Sequence, residues 1–172
     1  SSTMYMCNRC GFIHLEREAE EDFNQRDFKK EDRLSISITL RSEWEKSNKK
    51  FSNRKLTFTD LTNIKRNFIH LNPIEKLDKA LLIISEQSKQ IGDVVEVNHK
   101  DDYPKFYCSD SRELISVIKL LTNEKYIAPV VQHELLKFQI TTSGYQKIID
   151  LSKFNKESNQ CFVAMWFAGE LD

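Results

Sequence analysis

The sequence predicts an α+β fold that is mostly helical, and three observations carry that prediction. Its 172 residues include only 4 glycines and 3 prolines, too few for the dense turns of an all-β architecture. Two stretches, Asn72–Ile84 and Asp110–Leu121, pair a helix-starting residue with apolar positions at helical spacing. Short stretches around Cys7–Cys10 and over Leu136–Ile140 look extended instead. The length suits one large domain or two small ones, with enough chain to bury a real core.

Each element has its own reason. Met4-Tyr5-Met6-Cys7-Asn8-Arg9-Cys10-Gly11-Phe12-Ile13 reads as a strand, a knuckle and a second strand. An acidic segment follows from Glu16 to Asp32. Leu34 to Leu40 alternates apolar and polar residues, which taken alone favours a strand. Arg41 to Lys50 looks helical, with Trp44 as its apolar anchor, and Asn48 to Lys55 is polar enough for a loop. Thr59 is a candidate cap for a helix through Phe68, with Leu61, Ile64 and Phe68 on one face. Asn72-Pro73-Ile74-Glu75 is a strong helix start, because Asn72 can accept from an orphan amide, Pro73 gives up no needed donor and Glu75 can reach back. Gly92 is the expected stop.

Val94–Val97 and Tyr103–Tyr107 look like short extended pieces. Asp110, with Glu113 three residues on, opens a helix whose apolar face is Leu114, Val117, Ile118 and Leu121. Val130–Val131 and Leu136–Ile140 form a predicted hairpin around Gln132-His133-Glu134. Thr141 then caps a helix carrying Tyr145, Ile148, Ile149 and Leu151. The continuous apolar run Cys161–Phe167 suits a central strand of a parallel sheet. Such a sheet needs crossovers of about a dozen residues or more, and the chain stops at Asp172. The run is therefore expected to be an orphan strand, and the chain part of a longer protein.

Charge narrows the function classes. Lysine plus arginine number 26 and aspartate plus glutamate 26, a formal net charge of +0, which argues against nucleic-acid binding by bulk charge. No apolar run approaches the ~20 residues of a membrane helix, and Ser1–Met4 begins no secretory signal. No membrane association and a cytoplasmic location are the resulting expectations. The neutrality hides a split, since the acidic segment offsets a basic one. Between Arg41 and Arg66, 8 basic residues stand against 3 acidic ones. Interleaved with Trp44, Phe51 and Phe58, that segment suits an anionic ligand such as nucleic acid or a nucleotide signal. The alternative is a solvated helix face over aromatic core residues.

Several motifs together resemble a known family. Asn159-Gln160-Cys161-Phe162-Val163-Ala164-Met165-Trp166-Phe167 resembles the opening strand of the TIR-like domains related to nucleoside 2-deoxyribosyltransferases. Glu113-Leu114, Tyr126-Ile127 and Gln139-Ile140-Thr141-Thr142-Ser143-Gly144-Tyr145 resemble the helix, wing and following helix of the winged-helix-like region that precedes such domains in bacterial proteins. Tyr5-Met6-Cys7-Asn8-Arg9-Cys10-Gly11 is similar to one knuckle of the zinc ribbon at their head. Residues 16–70 match nothing in the family except that the resemblance favours a helix from about Asp32 to Lys49.

The resemblance implies four segments: a knuckle and acidic connector over 1–33, a helical and locally basic segment over 34–71, a winged-helix-like module over 72–154, and a linker with the first strand of a truncated TIR-like domain over 155–172. It further implies a non-catalytic sensor, regulatory or scaffolding region of a nucleotide-hydrolysing effector in antiphage defence. Glycohydrolase activity on a nucleotide such as NAD would belong to a domain beyond Asp172, and self-association or that adjacent domain would be the partner. Two other readings stand beside it: a DNA-binding winged-helix regulator, and an autonomous nucleotide-signal-binding domain.

Cys7 and Cys10 are the candidate metal ligands, because a C-x-x-C knuckle lets two thiolates grip one zinc tetrahedrally. Two further ligands are needed. His14 follows at an irregular spacing, and Cys108 and Cys161 adjoin other elements. The alternative is a free dithiol in a degenerate ribbon. For DNA, the helix after Asp110 would enter the major groove. Its polar positions Ser109, Arg112, Ser116, Lys119, Asn123 and Lys125 are only modestly basic, and Asp101, Asp102, Asp110, Glu113 and Glu124 lie close by. The hairpin turn carries no arginine. A protein-contact or spacer role is favoured over DNA. No catalytic residue is assigned: no nucleophile elbow, P-loop or G-x-G-x-x-G is present.

Overall fold

A computed structural model describes residues 2–24, 28–49, 55–132 and 136–153. The order is β1 (Ser2–Cys7), β2 (Gly11–Glu16), α1 (Arg17–Asn24), α2 (Lys30–Lys46), α3 (Phe58–Asn67), α4 (Pro73–Gln87), β3 (Val95–Val97), α5 (His99–Asp102), α6 (Ser111–Asn123), β4 (Ile127–Gln132), β5 (Leu136–Ile140) and α7 over 142–153. The fold is α+β and mostly helical, as expected. No helix among the described residues is long and apolar enough to cross a membrane.

The first half is a hairpin packed on helices. β1 and β2 pair antiparallel, with Cys7 opposite Gly11. Gly11 has φ +83°, and a Cβ there would lie 2.4 Å from the Trp44 ring of α2, so only glycine allows both the turn and the contact. The core under the hairpin joins Leu15, Ala19, Phe28, Ile36, Leu40, Leu56 and Leu61.

α2 runs straight through the alternating stretch. Ile36 and Leu40 face the hairpin core, whereas Ile38, equally buried, faces away from it toward a cleft beside α3. A helix covered on two sides puts apolar residues at strand-like spacing. Its hydroxyls are tied to the preceding turn: Ser35 Oγ donates to the carbonyls of Glu31 (3.1 Å) and Asp32 (2.9 Å), and Thr39 Oγ1 to that of Ser35 (2.9 Å). These bonds let polar side chains be buried in a helix. The cap of α3 is Thr57, not Thr59. Its hydroxyl accepts from the Asp60 amide (3.1 Å), while the Asp60 carboxylate accepts from the Thr57 amide (2.9 Å). Asp at the third helical position completes a capping box only from Thr57.

The second half holds a larger core, built from α4, α6, the 103–108 turn and the three strands. Leu81, Ile84, Val97, Phe106, Leu114, Leu121, Ile127 and Phe138 are at its centre. α4 begins as expected: Asn72 Oδ1 accepts from the Glu75 amide (3.0 Å) and Glu75 returns to the Asn72 amide (2.8 Å). It ends at Gln87, before Gly92. The Asp93 carboxylate captures the amides of Lys89 and Gln90, both at 2.8 Å, and so turns the chain early. Gly92, at φ +92°, serves the turn into β3. Residues 103–107 are a turn rather than an extended piece. The carbonyl of Tyr103 accepts from the amides of Phe106 and Cys108, and Tyr107 closes the turn at φ +58°.

Asp110 caps α6 by accepting from Arg112 (2.8 Å) and Glu113 (2.9 Å). The four apolar residues expected on α6 are all buried. The sheet order is β3-β5-β4, all antiparallel, with a bulge between Pro129 and Val131. Thr141 Oγ1 accepts from the Gly144 amide (3.1 Å) and caps α7. A Cβ on Gly144 would meet the Tyr126 carbonyl oxygen at 2.1 Å, so glycine lets α7 dock on the strand entry. Tyr145 and Ile148 pack on the core, while Ile149 is exposed.

Candidate functional site

The hairpin turn presents the two candidate ligands together. Cys7 ends β1, Cys10 precedes β2, and both are half-buried. Cys10 Sγ lies 3.2 Å from Ser37 Oγ of α2. The Cys10 thiol donates to the Cys7 sulfur, and this is the main reason the Cys7 pKa falls to about 5. Burial opposes that fall, and the backbone at Cys10 and Arg9 and the Arg9 charge assist it. The Cys10 thiol is pushed up because it makes that donation and because it is buried. Without metal, the two sulfurs thus share one hydrogen bond that favours ionisation of Cys7 over Cys10.

A thiolate beside a second cysteine fits two positions of a zinc site. Among the described residues, no group of three or more His, Cys, Asp or Glu side chains is arranged to hold a metal ion. His14 stands opposite Met4, along the hairpin from the Cys7–Gly11 pair, with Nε2 2.8 Å from Ser2 Oγ. Cys108 belongs to the second core, where burial pushes its thiol up to about 12 and its Sγ lies 3.4 Å from the Phe106 carbonyl. Cys161 lies outside the described residues, as do Phe51, His133, Glu134 and the whole 161–167 run.

Two cavities of about 410 Å³ each have the cysteine pair in their linings. One is walled mainly by apolar side chains, including Ile13, Leu15, Ile36, Leu40 and Leu61. The other is lined by Arg9, Lys30, Glu31, Arg33 and Tyr103, with the Arg9 guanidinium 5.4 Å from the Tyr103 ring centre.

Below the turn lies a residue whose role the sequence did not reveal. Arg41 is 6% exposed. Its Nη1 donates to the Asn8 carbonyl in the knuckle, its Nε to Glu45 Oε1 (2.9 Å) and its Nη2 to Asp102 Oδ1 (2.8 Å). Its guanidinium also sits 5.2 Å from the Trp44 ring centre. Asp102 is fixed in turn by the Asn98 amide (2.9 Å). One guanidinium thus joins the knuckle, α2 and α5. The only local signal is Glu45 at i+4; Asp102 is too distant in sequence to be foreseen.

The expected basic surface is smaller than its charge count suggests. Arg41 is internal, and Lys65 pairs with Asp32 at 2.9 Å. Trp44 packs on Gly11 between Arg41 and Lys49, so its ring is not an open stacking platform. On α6, Arg112, Ser116, Lys119, Leu120 and Asn123 point outward, and Leu120 is 48% exposed. Glu113 pairs with Lys76 at 2.5 Å.

No family model, no curated protein and no solved structure matches this chain.

Proposed function

We propose that this chain is the non-catalytic sensor, regulatory or scaffolding region of a TIR-like effector that hydrolyses a nucleotide, acting in the cytoplasm in bacterial antiphage defence. The effector is inferred from the likeness of Asn159–Phe167 to the opening strand of such domains. The observation that carries the regulatory part is the Arg41 link. One buried guanidinium holds both the Asn8 carbonyl of the turn and Asp102 of α5, the path by which a change at the turn would reach the second half. The turn is in this reading the sensing end, with zinc held by Cys7, Cys10 and ligands from outside the described residues. The second half is the output end, a winged-helix-like module that works through self-association or contact with the effector domain.

The winged-helix reading is supported by the order α4–β3–α5–α6–β4–β5, with β3 and β4 flanking β5. That order also supports a second reading, DNA binding through α6. The exposed Leu120 and the sparse cations of that face favour a protein partner instead. NAD cleavage and molecular mass measured on the intact protein test the first reading. Cleavage that rises with assembly supports it, and an intact protein that never cleaves a nucleotide refutes it. A salt-dependent gel shift near physiological salt would move the balance to DNA. Elemental analysis checks the zinc, and a folded protein without bound metal refutes that part.

A further inference from the structure

A second site lies on the opposite side of α2 from the hairpin core. α2, α3, the 68–71 connection, α4 and Tyr107 line an open cleft of about 680 Å³, within the size range of small-ligand sites. It differs in chemistry from the apolar cavity under the knuckle. Lys46 from the end of α2 and Lys79 from α4 line it, and neither makes an ion pair among the described residues. Asn63 and Asn67 lie four residues apart on α3 and line the same space. Tyr107 adds an aromatic ring, with the Lys79 ammonium 5.9 Å from its centre.

Two carboxylates also face the cleft. Asp60 is committed to the cap of α3, accepting from the Thr57 amide (2.9 Å) and hydroxyl (2.8 Å). Glu43 has no such commitment. The lining therefore offers two cations, one open carboxylate, two amides and two rings, Tyr107 and Phe68, beside an apolar wall of Ile38, Ile64, Ile69 and Leu71. A simple anion would use only the lysines, and a simple aromatic only the rings and the apolar wall. A ligand with a phosphate, vicinal hydroxyls and a planar polar base would use them all.

We propose that this cleft binds a ribonucleoside monophosphate. Lys46 and Lys79 hold the phosphate as point charges, Glu43 accepts from the ribose hydroxyls, Asn63 and Asn67 read the base edge, as paired donor–acceptor amides do, and Tyr107 flanks the base. The cleft touches both halves of the chain, since α2 and α3 belong with the hairpin and α4 and Tyr107 with the larger core. The proposal goes beyond the regulatory reading, which stands or falls without it.

Calorimetric titration of the whole chain with AMP, adenosine and inorganic phosphate tests it, followed by GMP, CMP and UMP. The expected result is saturable AMP binding at least about tenfold tighter than that of adenosine or phosphate. Lys46→Met combined with Lys79→Met weakens AMP about tenfold or more with an unchanged circular dichroism spectrum. Asn67→Leu weakens AMP but not phosphate, and Lys100→Met, on an exposed lysine elsewhere, changes nothing. Absence of saturable binding by any of the four monophosphates up to about 5 mM overturns the proposal, as do equal affinities for AMP and adenosine or undiminished binding by the double lysine variant. NAD cleavage by the intact protein is a separate readout, so loss of the ligand would leave the regulatory reading to its own test.

Discussion

Arg41→Met isolates the joint between the two halves. Methionine keeps an aliphatic stem beside Trp44 and removes the guanidinium. The Asn8 carbonyl, Glu45 and Asp102 each lose a donor. Removing one partner from a fully buried ion pair costs roughly 3–5 kcal/mol. Here the Glu45 and Asp102 side chains keep 22% and 21% exposure, so water recovers part of that loss. The expected cost is about 3 kcal/mol. For a chain of this size that lowers Tm by about 6–12 °C. Urea unfolding gives the free energy from the shift in midpoint at constant slope. Arg41→Lys recovers little of it, because an ammonium cannot present a guanidinium's fork of donors. A double-mutant cycle with Asp102→Asn gives a coupling energy of about 1–3 kcal/mol. A loss below about 0.5 kcal/mol for Arg41→Met, or zero coupling, refutes the linking role.

Three further outcomes are expected. Gly144→Ala places a Cβ 2.1 Å from the Tyr126 carbonyl oxygen, so it destabilises by about 3 kcal/mol; a variant as stable as the parent in urea contradicts the close docking of α7. In the metal-free protein, Cys7, with its pKa near 5, is alkylated by iodoacetamide at a rate that stays flat from roughly pH 8 to pH 6 and then falls, whereas Cys108 stays unlabelled in the folded protein. Cys10→Ala moves the Cys7 midpoint upward, and peptide mass spectrometry showing an ordinary thiol profile in the parent argues against the shared hydrogen bond. Burial pulls the Glu113 carboxyl upward, but Lys76 and Ser109 outweigh it and hold the group below its usual range. A carboxyl depressed on folding stabilises fully above its unfolded pKa and loses that contribution as pH falls through its folded pKa. Lys76→Met should therefore destabilise at neutral pH and flatten the stability curve below roughly pH 5, and parallel curves for parent and variant refute this.

The elements governed by local chemistry were legible in the sequence. Asn72-Pro73-Ile74-Glu75 and Asp110 with Glu113 each announce a helix through side chains that satisfy its own first amides, and both helices begin there. Leu114, Val117, Ile118 and Leu121 mark a face buried on one side, so their spacing alone identifies it. α2 was ambiguous because it is buried on two sides, which spoils the simple helical period. Thr57 and Thr59 are equally good caps by type, and the choice depends on Asp60. Tyr103–Tyr107 looks extended because its aromatic residues suit a strand, yet its carbonyls close a turn on their own amides.

The candidate site was legible only in part. Cys7 and Cys10 stand out by spacing, and the strand–turn–strand around them follows from their neighbours. Arg41 was counted as surface charge because its decisive partners, the Asn8 carbonyl and Asp102, come from distant parts of the chain. The nucleotide-sized cleft was equally hidden: its lining comes from three helices, the connection between α3 and α4 and a turn, and no local motif records that Lys46 and Lys79 face the same space.

The central claim is that the knuckle half and the larger half form one regulatory unit for a nucleotide-hydrolysing effector. NAD cleavage by the intact protein, compared between the parent and Arg41→Met at matched concentration and at a temperature where both are folded, tests it most directly. Cleavage by the parent whose dependence on assembly is lost or shifted about tenfold or more in the variant is the predicted result. An intact protein without nucleotide cleavage, or one whose cleavage and assembly are identical in Arg41→Met, contradicts the account.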